Sequence, residues 1–169
     1  NDRDFILFYS ATVDGATTLT NTNVPYRIEG NVVLNVTSPL TLDEGVELVF
    51  EENAGLGVYD NGTLNAIGSA SSPIIFRGAE DLNGYWRGIH TETSSSDNVL
   101  DQVEIKNAGS TYVYCCNAPA GLFIKSGTMT VKNSEISKND GCGIVVRSSA
   151  TLTESNNSFA NNTDGNVCN

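Results

Sequence analysis

The residues best suited to chemistry surround the only histidine of the chain. His90 follows Tyr85, Trp86 and Arg87 at a spacing of three to five residues. An imidazole can serve as a general base near neutral pH, and aromatic rings exposed in a loop can stack on sugar rings. We therefore treat Tyr85, Trp86 and His90 as candidate ligand-binding residues.

A second tyrosine-rich stretch adds two more candidates, Tyr112 and Tyr114. Simpler interpretations of the first group remain open. If Ile89 points inward, His90 points outward onto a flat sheet face and is a solvated surface side chain. Trp86 stands at a predicted strand start, where its ring can cover the core instead of binding a ligand.

Carboxylates could supply acid and base catalysis on a glycan. Such a pair needs its carboxyl groups about 5 Å apart in a retaining enzyme and roughly 6.5–9.5 Å apart in an inverting one. The acids that lie close together in sequence are Glu51 and Glu52, Glu80 and Asp81, and the group Asp97, Asp101 and Glu104. Neighbouring acids in a strand point to opposite sides, so nothing in the sequence fixes such a distance. We assign no catalytic residue, and solvated surface carboxylates are the simpler interpretation.

Metal binding has only a weak signal. The aspartates in predicted turns that could hold calcium are Asp14, Asp43, Asp60, Asp140 and Asp164. None belongs to an EF-hand loop or to a Gly-Gly-x-Gly-x-Asp repeat, and Asp beside Gly is also ordinary turn chemistry. We expect no cofactor, with calcium as the alternative.

The four cysteines lie in the last third of the chain, at Cys115, Cys116, Cys142 and Cys168. None forms a Cys-x-x-Cys pair, so a zinc site is disfavoured. We expect two disulfides and hence an oxidising compartment. Stacked coils bring successive bends together, which favours one of Cys115 and Cys116 bonding Cys142 and the other bonding Cys168. A bond between Cys115 and Cys116 is the alternative, and free buried thiols also remain open.

Length and charge narrow the function classes. The chain has 169 residues, which predicts one domain, and its net charge of −11 disfavours nucleic acid or an anionic membrane as a partner. The longest apolar runs, such as residues 5–8, are far too short to span a bilayer.

One stretch of sequence occurs twice, at residues 121–140 and 143–162. Gly121 aligns with Gly143, and Met129 aligns with Leu152 after the single inserted residue Ala150. Each copy holds short apolar segments of period two separated by Ser, Asn and Gly. A repeat of this length without a helical pattern predicts one coil of a β-solenoid, whose apolar side chains are buried only when coils stack.

Asparagines at matching bends should stack between these coils. Asn133 is expected over Asn156, and Asn139 over Asn162. Stacked asparagines can hydrogen-bond each other and the backbone of the bend. The alternative is that Asn is simply common in turns.

The same period extends towards the N-terminus. The step from Leu42 to Leu64 equals the step from Gly121 to Gly143, which suggests that the two leucines occupy equivalent places. The steps from Gly55 to Gly88 and from Gly88 to Gly121 are equal to each other and longer than one coil, which indicates an insertion in each. We expect the insertions to form projecting loops near residues 77–85 and 110–120, which are places where binding residues often lie. Residues 1–23 are expected to form a cap or a linker ahead of a solenoid over residues 24–169.

Several segments carry a family resemblance: residues 26–34, 39–50, 62–68, 73–76, 84–89 and 100–109. They resemble segments of right-handed parallel β-helix proteins that bacteria, especially Bacteroidetes, secrete or display on their surface. The resemblance covers roughly residues 24–163. It implies an all-β fold, a right-handed parallel β-helix of about six coils with an N-terminal cap, and a secreted or outer-surface location. It transfers no catalytic residue, because this fold hosts lyases, glycosidases, adhesins and modules without activity.

These observations predict a non-enzymatic extracellular module for display, adhesion or binding. Its expected partner is an extracellular glycan or a surface protein, with loops 77–85 and 110–120 as the contact region. The alternative is a carbohydrate-active enzyme, similar to a polysaccharide lyase or glycosidase, or an accessory subunit of one. The oligomeric state stays open.

Overall fold

The computed structural model describes residues 4–110 and 118–169. In this part of the chain all regular secondary structure is β, and every pairing between the 19 strands is parallel. The described residues include no helix with the length and apolar character needed to cross a bilayer. Four residues singled out from the sequence lie outside the described ranges: Tyr112, Tyr114, Cys115 and Cys116.

The strands form three ladders. The first ladder contains β1 (Ile6–Phe8), β4 (Tyr26–Ile28), β7 (Glu47–Phe50), β10 (Ile74–Gly78), β13 (Val103–Lys106), β15 (Glu135–Ser137) and β18 (Ser158–Ala160). The second contains β2 (Thr12–Val13), β5 (Val33–Val36), β8 (Gly55–Asp60), β11 (Ile89–Thr93), the first part of β14 (Ala120–Lys132), β16 (Cys142–Val146) and β19 (Gly165–Cys168). The third contains β3 (Thr17–Leu19), β6 (Pro39–Leu42), β9 (Thr63–Ile67), β12 (Asn98–Asp101), the second part of β14 and β17 (Ala150–Ser155).

The chain passes through the first, second and third ladder in turn and then begins again. We call each such passage a circuit. The described strands make six complete circuits, and β18 and β19 belong to a seventh. Each strand pairs with its counterpart one circuit later, so consecutive circuits lie about 4.8 Å apart.

Along each strand, side chains point alternately into the core and towards the outer surface. In the second ladder, Leu56 pairs with Ile89, Ile89 with Leu122, and Leu122 with Ile144, and all four side chains are buried. Inward side chains from all three ladders form a single buried cluster. The intervening residues face outward, which is the two-residue period of a strand buried on one side.

The corners between ladders use left-handed backbone conformations, and these conformations recur in register. Gln102, Asn133 and Asn156 follow the third ladder in successive circuits and have φ values of 55°, 51° and 56°. Asn tolerates this region better than most residues because its short side chain bonds the local backbone. The predicted stack of Asn156 on Asn133 is confirmed, with Asn156 Nδ2 donating to Asn133 Oδ1 at 3.3 Å.

The second predicted asparagine stack is also confirmed, and it is buried. Asn139 is fully buried, and its Nδ2 donates to Asn162 Oδ1 at 2.9 Å. The Oδ1 of Asn139 accepts the backbone N–H of Ala108 at 2.9 Å, while Asn162 Nδ2 donates to the carbonyl of Ile136 at 2.9 Å. The two side chains therefore satisfy backbone groups of two consecutive circuits, the fifth and the sixth.

The expected pairing of Leu42 with Leu64 is wrong. Leu64 pairs with Leu40, and Leu42 pairs with Ala66. The circuit here is therefore longer by two positions than the step between Leu42 and Leu64. Leu40 and Leu42 point to the same side, so a shift of two keeps the buried pattern intact and cannot be detected from it.

The boundary expected after residue 23 does not coincide with a break in strand pairing. β1, β2 and β3 pair in register with β4, β5 and β6. Partly buried Phe8, Ala11 and Val13 pack against the core. Residues 6–19 thus form the first circuit of the ladders, and they cover the N-terminal side of the core.

The favoured cysteine pairing is wrong, because Cys142 bonds Cys168 and not a cysteine of the 115–116 pair. The Cα atoms of Cys142 and Cys168 lie 6.3 Å apart. Cys142 begins β16 and Cys168 ends β19, which pairs with it, so the disulfide ties the seventh circuit to the sixth.

We expect the Asn139→Ala variant to lose about 2 kcal/mol or more of unfolding free energy. The substitution leaves the buried N–H of Ala108 without its acceptor and Asn162 without its donor. Urea unfolding followed by circular dichroism measures the change. Asn166→Ala is the control, because Asn166 is exposed; an equal loss in both variants would contradict the role of the buried stack.

Tryptic digestion without reduction should yield residues 139–147 cross-linked to residues 148–169. Trypsin cleaves after Lys138 and Arg147, and both cysteines at positions 115 and 116 fall in the separate peptide 107–125. Mass spectrometry identifies the linked peptides. A cross-link between 107–125 and either of the other two peptides would overturn the pairing.

The Cys142→Ser, Cys168→Ser double variant should unfold with roughly 3 kcal/mol less free energy, because the disulfide closes a separation of 26 residues.

Candidate functional site

The indole of Trp86 lies inside the core and is not available to a ligand. Its side chain is fully buried, and its ring stacks on Phe50 with centroids 4.0 Å apart and planes at 8°. The indole Nε1 donates to the carbonyl of Lys106 at 2.7 Å. This arrangement matches the alternative interpretation, in which Trp86 covers the core where the insertion rejoins the strands.

The side chain of Tyr85 lies on the side of the chain opposite to that of Trp86, and it is half-buried at the corner after the first ladder. Its hydroxyl donates to Glu51 Oε2 at 3.4 Å. Burial raises the pKa of Tyr85, and the nearby Glu51 carboxylate raises it further. Glu51 also accepts from Arg27 in an ion pair. Tyr85 is therefore held in a small polar network at the surface.

His90 does point outward from the core, as Ile89 points inward, but it is buried rather than solvated. It is 1% exposed, and its ring stacks on Phe123 with centroids 5.3 Å apart and planes at 9°. The Tyr59 ring lies 5.6 Å from it on the preceding circuit. Phe123 also belongs to a second apolar cluster with Ala120, Cys142 and Val145, separate from the main core.

An ion pair lies next to this aromatic group. Lys125 Nζ is 2.6 Å from Glu92 Oε1, and the other Glu92 oxygen is 3.6 Å from His90 Nε2. The hydrogen bond from Lys125 lowers the pKa of Glu92. Burial lowers the pKa of His90 below its usual 6.5, although the neighbouring Glu92 opposes this shift.

Arg87 lies on the same outer face as Tyr59 and His90. A Cβ atom added to Gly55 would lie 3.2 Å from Arg87 Cβ and 3.5 Å from Arg87 Cδ, so the arginine stem runs across this glycine. The Tyr59 ring occupies the corresponding space over Gly57, where an added Cβ would collide with it. Two glycines of β8 thus make room for an arginine and a tyrosine side chain.

The insertion after β10 forms a loop, residues 79–85, that we call the strap. It runs across the corners of the next three circuits. Asp81 accepts from Asn107 Nδ2 at 3.0 Å and from Lys138 Nζ at 2.7 and 2.8 Å, and Asn83 Nδ2 donates to the carbonyl of Asn161 at 3.4 Å. Hydrogen bonds from Lys138 and Asn107 lower the pKa of Asp81. Leu82, between these anchors, is 60% exposed.

The structure therefore separates the three described candidates instead of gathering them into one pocket. Tyr85 lies at a corner, Trp86 lies in the core, and His90 lies under the outer face of the second ladder. Sequence reasoning named Arg87 beside His90 but missed Tyr59. The glycine spacing placed Gly88 over Gly55 and hence Arg87 close to Gly55, but it did not reveal that the arginine stem crosses the glycine.

Four of the seven carboxylates considered for catalysis form ion pairs. Ion pairs join Glu51 to Arg27, Glu104 to Lys106, Asp101 to Lys132 and Asp81 to Lys138. Within residues 4–110 and 118–169, no group of three or more His, Cys, Asp and Glu side chains is arranged to hold a metal ion.

Comparison with known proteins finds a partial relative. The chain is 41% identical over 59 residues to Protein bark beetle of Drosophila melanogaster, a stretch that covers 35% of this chain and 2% of that protein's length. No protein-family model matches the chain. No solved structure matches it either. The bacterial family expected from the sequence stays a prediction.

We expect the wild-type protein to lose unfolding free energy as the pH falls from about 7.5 to 5.5. The folded state holds His90 with a pKa below 6.5, so the unfolded chain binds the proton more readily and stability declines below that value. Glu92, whose pKa is lowered, titrates below this range. The His90→Phe variant keeps a ring on Phe123 and should show a smaller decline. Urea titrations at both pH values measure it, and an unchanged decline in the variant would refute the assignment to His90.

Proposed function

We propose that the chain folds as a right-handed parallel β-helix of about six coils and acts as a non-enzymatic binding module, secreted or on the outer cell surface. The three parallel ladders around one main core support this fold, and its hand follows because parallel connections between strands are almost always right-handed. The disulfide between Cys142 and Cys168 supports an oxidising, extracellular location.

The strap is the observation that carries the proposed function. Anchors on three following circuits hold it in place, while Leu82 remains 60% exposed between Asp81 and Asn83. A loop held rigidly on a scaffold loses little conformational entropy on binding. Binding residues lie disproportionately on such loops. The strap therefore suits adhesion to an extracellular glycan or to a surface protein, and we favour a glycan because the half-buried phenol of Tyr85 lies at its end.

The charged side chains favour binding over catalysis. A glycosidase general acid needs a raised carboxyl pKa, whereas the pKa values of Asp81 and Glu92 are both lowered by lysines. Salt bridges between neighbouring groups also cover the outer face of the first ladder, where Arg77 meets Glu47 and Lys106 meets Glu104.

A glycan array, probed with and without calcium, tests this function. We expect the wild-type protein to bind a defined subset of glycans and the Leu82→Ser variant to bind them roughly tenfold more weakly, as for a residue central to an interface. Ile67→Ser is the matched control, because Ile67 is also an exposed apolar residue, at 49%, but lies at the end of β9 away from the strap.

Two results would contradict the proposal. Binding that both variants retain equally would remove the strap from the site, and no bound glycan in either condition would remove glycans as the partner. The bound glycans should also be incubated with the protein and examined for new reducing ends or unsaturated products. Cleavage would instead support the carbohydrate-active enzyme.

A further inference from the structure

The first strand of the first ladder is apolar on both of its faces. Residues 5–9, which include β1, read Phe-Ile-Leu-Phe-Tyr. Leu7 pairs with Arg27, and the Arg27 guanidinium lies 4.8 Å from the centre of the Phe5 ring, so Phe5 and Leu7 point outward. The residues between them and after them in β1 point towards the core. A continuous apolar run of this kind is typical of a strand that is buried on both faces.

These apolar side chains are nevertheless exposed. Phe5 is 40% exposed, Ile6 39% and Tyr9 67%. The other large apolar side chains that are exposed in the described ranges come from three separate elements: Ile67, Leu82 and Val167. Exposed apolar residues that lie together indicate an interaction surface, whereas single ones are common on any protein.

The backbone of β1 also has an open side. Among the described residues, β1 is the end strand of the first ladder and pairs only with β4. Ile6 donates its N–H to the carbonyl of Pro25, and the carbonyl of Phe8 accepts from the N–H of Glu29. Because backbone groups of successive residues point to alternate sides of a strand, the N–H and C=O of Leu7 point to the open side. An open strand edge is a template for pairing with another strand.

The side chains of β1 are complementary to a second copy of the same strand. A two-fold axis at Leu7 creates an antiparallel pair in which the two Leu7 residues lie opposite each other and exchange two backbone hydrogen bonds. Phe5 then lies opposite Tyr9 of the second copy on the outer face, and Ile6 lies opposite Phe8 of the second copy on the inner face. Cross-strand pairs of aromatic and branched apolar side chains stabilise a sheet.

The sequence around β1 favours this register over its neighbours. An axis at Ile6 would place Asp4 opposite Phe8 of the second copy, and an axis at Phe8 would place Ser10 opposite Ile6. Each shift exposes an apolar side chain to a polar one, and the first also brings a carboxylate onto an aromatic ring. The axis at Leu7 pairs all five apolar residues with apolar residues.

The available area determines how strong such a contact is. With about 200 Å² for a whole aromatic side chain, the exposed fractions of Phe5 and Tyr9 amount to roughly 200 Å² in each copy. Ile6 and the strand edge add to this area. A standard stable interface buries about 800 Å² per partner, so the contact is that of a weak, reversible dimer. The net charge of −11 opposes it, and salt screens that repulsion.

We propose that the chain forms a weak two-fold dimer in which β1 pairs antiparallel with β1 of a second copy. The pairing joins the two seven-stranded first ladders into one continuous sheet. This inference does not depend on the proposed glycan binding.

Sedimentation equilibrium of the 169-residue chain tests the association. We expect a monomer–dimer equilibrium that shifts towards the dimer when the salt concentration rises from about 0.05 to 0.5 M. Leu7→Lys places two ammonium groups opposite each other and should weaken the dimer at least ~10-fold. Ile67→Lys is the matched control, because Ile67 is an exposed apolar residue at the end of β9, and it should dimerise like the wild type.

Cross-linking of cysteine variants tests the register. In the proposed pair the two Cα atoms of residue 7 lie about 5.5 Å apart, within the range of a disulfide. Oxidised Leu7→Cys should therefore form a covalent dimer, and an equimolar mixture of Phe5→Cys and Tyr9→Cys should form the mixed dimer. Phe5→Cys alone should not, because its two copies lie roughly 13 Å apart along the strands. The wild type gives the background from the native cysteines.

Three results would overturn the proposal. The first is a monomer at every protein and salt concentration, together with no cross-linking of Leu7→Cys. The second is a dimer that Leu7→Lys leaves intact. The third is a dimer that Phe5→Cys links to itself while Leu7→Cys does not, since this places the contact in another register or on another surface.

Discussion

The structure depends on one constraint, the parallel pairing of each circuit with the next in register. A single circuit has three short strands and cannot bury its apolar side chains or satisfy its backbone alone. Leu56, Ile89, Leu122 and Ile144 are buried only because each lies against its counterpart in the neighbouring circuit. The stack of buried Asn139 on half-buried Asn162 follows the same logic at a corner, where amide side chains form the backbone bonds that no strand supplies.

Pairing in register also explains where the chain departs from the regular circuit. A single additional residue within a ladder moves every later side chain to the opposite face unless a bulge takes it up. β14 contains such an irregularity, since Ile124 and Ser126 pair with the adjacent residues Thr91 and Glu92. Longer insertions leave at the corners, as the strap after β10 does. Within a strand, glycine leaves space on the surface without changing the register. Gly55 and Gly57 keep their places in β8 but create room above it, which Arg87 and Tyr59 fill. Projecting loops and glycine-lined depressions are thus the two ways in which this fold gains a distinctive surface.

The sequence predicts the repeating parts of the fold well, because their signal is local. The two copies at residues 121–140 and 143–162 align in the structure as predicted, with Met129 on Leu152 and Ile136 on Phe159. The same reasoning misplaced Leu42, because a difference of two positions in circuit length leaves the alternation unchanged. It also favoured the wrong cysteine pairing, since several bends recur along the same corner and spacing cannot rank them.

The candidate site was harder to predict, because it depends on which side chains of neighbouring circuits pack on a strand and not only on the residues of that strand. Alternation correctly predicts that His90 points outward, but not that it is 1% exposed and contacts the rings of Phe123 and Tyr59 on the two neighbouring circuits. Trp86 and Tyr85 are neighbours in sequence, yet they lie on opposite sides of the chain because the corner turns between them.

The strap has a consequence for how the molecule holds together. In an ideal solenoid each repeat contacts only its neighbours, so stability is a sum of local terms and the ends can unravel independently. Here a segment of the fourth circuit bonds residues of the fifth, sixth and seventh, through Asn107, Lys138 and Asn161. Loosening of the C-terminal circuits must therefore break contacts with a distant part of the chain. The strap makes the second half of the molecule behave as one cooperative unit, more like a globular domain than a stack of separable coils.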